Sequence, residues 1–131
     1  MRARVCKALR SLDAQSIENR SAGPGTPDVN YIEGWIELKK AEKWPVQSKS
    51  VLRLPHFTQQ QRVWLRRRWN AGGNAYVLLQ VKNEFLLFFG HDAAEWLGRG
   101  TRQQLRDAAF RKWCGNEMDK EIAKCLSNRV S

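Results

Sequence analysis

Two almost uninterrupted apolar runs, at 75–81 and 85–89, flank the polar triplet Lys82-Asn83-Glu84. Each run has the length of a strand and is rich in Val, Tyr and Phe. An apolar run without alternation implies burial on both faces, so the pair predicts a β-hairpin at the centre of a sheet that needs helices on either side. The flanking segments supply them. Val5, Ala8, Leu9 and Leu12 lie at i, i+3, i+4 and i+7, which predicts an amphipathic helix over 2–13. A second helix is expected from Thr58 to Trp69, stopped by Gly72-Gly73. A short extended piece is expected at 16–20, then a turn-forming break at 21–25 and strands at 29–32 and 35–40 about a tight turn at Glu33-Gly34. The stretch 44–55 reads as a basic, proline-bounded loop, and 92–128 as polar and helical, broken at Gly98-Arg99-Gly100 and Gly115. The expectation is an α/β fold with a central mixed sheet flanked by helices. At 131 residues it forms one domain, with a core over about 16–90 and a helical C-terminal extension over about 91–131.

The charge balance narrows the function. Lys and Arg number 23 against 13 Asp and Glu, a formal net charge of +10. Such an excess draws polyanions, and nucleic acid is the obvious one, because each neutralised phosphate releases condensed counterions. Charge alone does not separate an enzyme from a binder, and basic ribosomal or membrane-surface proteins look similar. No apolar run reaches the roughly 18 residues of a membrane helix, and the N-terminus lacks the apolar stretch of a signal peptide. Three cysteines, Cys6, Cys114 and Cys125, are an odd number without CxxC spacing, so they are expected to be reduced thiols. These features together lead us to expect a cytoplasmic protein without a membrane association.

The segment 25–39 carries chemistry. Strand side chains alternate, so Trp35, Glu37 and Lys39 share one face while Ile36 and Leu38 take the other. A hairpin about Glu33-Gly34 brings Asp28, just after Pro27, to the Glu37–Lys39 end of its partner. Two carboxylates held this way suit a hard divalent cation such as Mg²⁺, with Mn²⁺ as a substitute. Phosphodiester hydrolysis needs an activated water and relief of phosphate charge, which a carboxylate-held cation and a neighbouring ammonium supply. Glu-x-Lys alone is ordinary on a solvated strand, and Pro-Asp alone is a turn signal. Their conjunction in a basic chain, between two helices, is not ordinary.

Pro27-Asp28 followed by Glu37-Leu38-Lys39 resembles the signature of the PD-(D/E)XK nuclease superfamily, whose fold is a mixed sheet flanked by helices as in restriction enzymes and archaeal-type Holliday-junction resolvases. Gly25-Thr26-Pro27-Asp28, the Glu37-Leu38-Lys39 element and Phe57-Thr58-Gln59-Gln60-Gln61 with Trp64 and Leu65 further resemble the virus-type replication-repair nuclease (VRR-NUC) branch and small phage-encoded resolvase-like nucleases. The likeness spans about 16–81. It implies that Asp28 and Glu37 bind metal, that the backbone carbonyl of Leu38 contacts it, and that Lys39 assists the attacking water. It also implies an upstream acid as a further metal ligand and catalytic residue, for which Glu18 is the candidate and Asp13 the other option. Junction or other branched DNA as substrate is implied by the same likeness, with a host cytoplasm if the chain is phage-encoded. A flap or restriction-type nuclease keeps the same site, and a non-catalytic basic DNA-binding accessory protein is the alternative from another class.

Gln61 has two readings. Thr58-x-x-Gln61 is a capping box, yet Gln61 shares a helix face with Phe57, Trp64 and Leu65 and points inward, toward the active site. Lys40, Lys43, Lys49, Arg53 and Arg62 are expected to form a DNA-binding rim on backbone phosphates, with an ordinary solvated surface as the other reading. His56 and His91 lack partners at metal or nucleophile spacing. The tryptophans are expected in core and interface rather than as stacking platforms. Symmetric cutting of two strands needs two sites, hence a homodimer, joined by the apolar hairpin 75–89 or by the tryptophan-bearing C-terminal helices.

Overall fold

The computed structural model describes residues 1–16, 27–31 and 34–126. The elements run α1 (Arg2–Ala8), a 3-10 turn (Arg10–Leu12), β1 (Gln15–Ser16), β2 (Val29–Tyr31), β3 (Gly34–Ala41), α2 (Gln59–Asn70), β4 (Asn74–Val81), β5 (Glu84–Phe89), α3 (Gly90–Trp96), α4 (Arg102–Ala108), β6 (Arg111–Cys114) and α5 (Glu117–Leu126). The strands form one six-stranded mixed sheet in sequence order. Only β3 and β4 are parallel, in register from Gly34↔Asn74 to Ala41↔Val81; the other pairs are antiparallel. A parallel pair needs a long crossover, and α2 lies within it.

Alternation along β4 explains the two cores. Tyr76 and Leu78 face one side, with Val29, Tyr31, Ile36, Phe85 and Leu87, and are covered by Val5 of α1, by Leu9 just after it, and by Met118, Ile122 and Leu126 of α5. Ala75, Val77, Leu79 and Val81 face the other, with Leu86 and Phe88, under Leu65 of α2, Ala93 of α3 and Leu105 of α4. Both faces of the β4–β5 hairpin are therefore filled from within the chain, and its apolar runs are core rather than a dimer interface. Gly34, at the start of β3, permits the close β3–β4 approach: a Cβ there would lie 2.1 Å from the Asn74 carbonyl oxygen.

Three local expectations are corrected. The first helix ends at Ala8, and the chain leaves the following 3-10 turn through Asp13 at φ 56, a left-handed conformation that Asp tolerates better than most residues. The extended piece expected at 16–20 is β1 at Gln15–Ser16, and 17–20 lie outside the described residues. The C-terminal third is not an all-helical extension. β6 completes the sheet there and α5 closes the α1 side of the core. Within β6 only Trp113 is buried, so its sequence carries no apolar alternation to betray a strand.

The long loop 42–57 is folded onto the body. Leu52, Leu54 and Phe57 are buried in the α2-side core, Val51 makes an isolated bridge to Thr101, and Trp44 Nε1 donates to Glu84 Oε1 at 2.9 Å. Arg102 and Arg106 of α4 also converge on Glu84, each at 3.3 Å. All three cysteines are free thiols. Among the described residues no helix is long and apolar enough to cross a membrane.

Candidate active site

The site follows from where β2 begins and which side of β3 faces α2. Val29 pairs with Ile36, so Asp28, one residue earlier, stands opposite Glu37 and on the same face. Because β2 does not extend back past Val29, the Leu38 amide has no ladder partner on that side. It donates instead to Asp28 Oδ2 at 2.9 Å. The N–H and C=O of one strand residue leave on the same edge, so the Leu38 carbonyl points toward Asp28 as well. On the α2 face Trp35 packs edge-on against Trp64, with centroids 5.8 Å apart, and Glu37 and Lys39 continue the same row.

Glu37 is 2 % exposed, yet it is surrounded by polar groups rather than by hydrocarbon alone. Gln61 Nε2 lies 3.3 Å from its Oε2, and Lys39 Nζ lies 3.8 Å from its Oε1. Gln61 Oε1 meanwhile accepts from the Thr58 amide at 2.9 Å, and Thr58 Oγ1 accepts from the Gln61 amide. The capping box and the contact with Glu37 thus use different ends of one amide. Lys39 is held in place by the His56 carbonyl, 3.0 Å from Nζ, and by the Phe57 ring, 5.7 Å away. His56 contributes its backbone; nothing places its imidazole in the site.

Burial pushes the Glu37 pKa up to about 9, helped by its hydrogen bond to Asp28 and by the Asp28 charge, against the opposing pull of Lys39. Burial also acts upward on Asp28, but the bonds from Glu37, the Leu38 amide and Arg2 outweigh it and hold that carboxyl below its ordinary value. The two environments thus push the pair apart, Glu37 toward the protonated form and Asp28 toward the ionised one. Arg2 is a participant the sequence did not reveal: its Nη2 donates to Asp28 Oδ1 at 2.8 Å. Its guanidinium offsets the charge of the Asp28 carboxylate.

These residues fit a hard divalent cation. Two carboxylates and the Leu38 carbonyl present only oxygen, they sit on adjoining strands, and two acids in hydrogen-bond contact require either a proton or a cation between them. Asp28 Oδ1 is engaged by a half-exposed Arg2, which leaves it accessible to exchange. Among the described residues no three His, Cys, Asp or Glu side chains gather. Asp13 is exposed and stands apart, and Glu18 lies outside the described residues.

Lys40, Lys43, Lys49 and Arg53 are exposed, on the end of β3 and the loop after it, and none makes an ion pair with a described residue. Arg62 is different and corrects the expectation of a phosphate contact. It is 9 % exposed, its guanidinium donates to the Ala94 carbonyl at 2.8 Å and to the Leu97 carbonyl, and it stacks 4.5 Å over Phe57. It satisfies carbonyls at the C-terminal end of α3 and is part of the core. No protein-family model, no curated protein and no solved structure matches the chain.

Proposed function

We propose that this chain is a Mg²⁺-dependent DNA endonuclease of the PD-(D/E)XK type. The observation that carries the reading is the meeting of Asp28, Glu37, Lys39 and Gln61 at the start of β2, on β3 and at the N-terminus of α2. A basic binder has no use for two buried or half-buried acids beside DNA, because they repel phosphate unless a cation intervenes.

In this reading Asp28, Glu37 and the Leu38 carbonyl hold the ion, and Gln61 fixes the Glu37 carboxylate in the orientation that faces Asp28. The bound cation supplies Lewis acidity and lowers the pKa of water at the site. Lys39, oriented by the His56 carbonyl, orients the attacking water and offsets charge that builds on the phosphate. Lys40, Lys43, Lys49 and Arg53 track the flanking backbone phosphates. Branched DNA as substrate and a homodimer that cuts two strands follow from the family likeness and the symmetry argument.

The test is a parallel digestion of a four-way junction, a flap, a nicked duplex and a single strand with Mg²⁺, Mn²⁺ or EDTA. The expected result is metal-dependent cutting, strongest on branched DNA, that Asp28→Asn and Lys39→Ala each abolish while DNA binding persists. Binding without cutting by the unaltered protein would make it an accessory DNA-binding protein instead.

A further inference from the structure

Beyond Lys39, β3 and the loop 42–57 border an open cavity of about 690 Å³, within the size range of small-ligand sites. Leu38 and Lys39 belong to its wall, so it adjoins the Lys39 side of the acidic cluster, although neither Asp28 nor Glu37 lines it. Its interior is apolar, from Trp44, Pro45, Leu52, Leu54 and Pro55, whereas Lys40, Lys43 and Arg53 stand on it as exposed cations with one acid, Glu42, among them. Two aliphatic side chains at the cavity face water: Val46 is 94 % exposed and Val51 39 %. Trp44 is fixed by its hydrogen bond to Glu84, and Arg102 stacks 5.2 Å over its ring. The wall is thus formed before any ligand arrives.

We propose that this cavity receives an unpaired nucleobase of the DNA strand held at the Asp28–Glu37 site. The proposal rests on the nuclease reading and adds what selects the substrate. An apolar slot with a rigid indole suits a base face, which stacks without regard to sequence. The surrounding cations suit the phosphates on either side of that base. A base in a continuous duplex is stacked and cannot enter without being flipped out, and flipping is easiest where DNA is already unpaired. The cavity therefore favours a strand with unpaired nucleotides at a branch, flap or overhang. Its position beside Lys39 sets the cut next to them.

The test compares affinity for two overhang duplexes, one with normal nucleotides and one with abasic residues in the overhang, measured by fluorescence anisotropy with Ca²⁺ in place of Mg²⁺. The backbone charge is the same in both, so their ratio reports the base alone. The expected ratio for the unaltered protein is about tenfold in favour of the normal overhang. Val46→Asp, at a fully exposed position, and Trp44→Leu should both bring the ratio close to one. A ratio near one in the unaltered protein, or one that survives Val46→Asp, overturns the proposal. Cutting with Mg²⁺ is scored separately. A normal ratio without cutting would leave the cavity assigned and the nuclease reading lost, whereas cutting without a ratio would do the reverse.

Discussion

Gln61 Nε2 lies 3.3 Å from Glu37 Oε2, while the other end of the same amide closes the capping box at the start of α2. A helix terminus and the orientation of a buried carboxyl therefore depend on one side chain. The two roles separate by substitution. Gln61→Glu keeps a capping-box residue but removes the donor to Glu37 and adds a second negative charge beside it. Its stability should remain within about 0.5 kcal/mol of the parent protein, and its cleavage rate should fall by about tenfold or more. Gln61→Ala should lose rate and about 1 kcal/mol of stability. Urea unfolding beside a plasmid-nicking assay checks both, and a Gln61→Glu variant that cuts at full rate would remove Gln61 from the site.

Glu37 makes stability depend on pH in an unusual direction for a carboxylate. Its pKa is raised on folding, so between the ordinary carboxyl range and about 9 the native state holds a proton that the unfolded chain releases. Stability contributed this way is full below the unfolded value and is lost as pH rises through the folded one. In EDTA, Tm should decline from pH 5 to pH 9, and Glu37→Gln should flatten that decline. Asp28 acts oppositely at low pH, since its pKa is lowered and its contribution is lost as pH falls through the folded value. An identical pH profile for the parent and Glu37→Gln would mean that the buried proton is elsewhere.

Under the proposed function Arg2 would compete with a cation for Asp28. Arg2→Ala removes a half-exposed ion pair, which is worth under about 1 kcal/mol, so the affinity for Mn²⁺ should tighten by about two- to fivefold in calorimetry. Weaker Mn²⁺ binding by Arg2→Ala would show that the guanidinium supports the ion site rather than occupying it.

Under the proposed function Arg62 and Lys43 should differ in their effect on DNA binding. Lys43→Ala should leave stability within about 0.5 kcal/mol of the parent and reduce the slope of log affinity against log salt by about one. Arg62→Ala breaks charge-assisted bonds to two buried carbonyls, which should cost about 2–3 kcal/mol, with the slope unchanged. A salt titration of duplex binding distinguishes them, and a reduced slope for Arg62→Ala would return that residue to the DNA-contacting surface.

Much of this geometry was legible because it is local. The period of two placed Glu37 and Lys39 together, and the hairpin register brought Asp28 opposite Glu37. Gln61 was found by its distance from Thr58 and its helix face. Contacts made across the fold left no such trace. Arg2 reaches Asp28 from 26 residues away, and Arg62 meets its carbonyl partners 32 and 35 residues later. From sequence, Arg62 is indistinguishable from the solvated arginines that follow it on α2. β6 was hidden for a related reason, since a strand that buries one residue shows no alternation.

The claim on which the rest stands is that Asp28 and Glu37 share one divalent ion beside Lys39. Anomalous diffraction from crystals soaked in Mn²⁺ tests it most directly. The account predicts a peak within coordination distance of carboxylate oxygens from both residues and of the Leu38 carbonyl, with Arg2 withdrawn. A fully soaked crystal with no peak between them, and the Arg2–Asp28 pair intact, would contradict it.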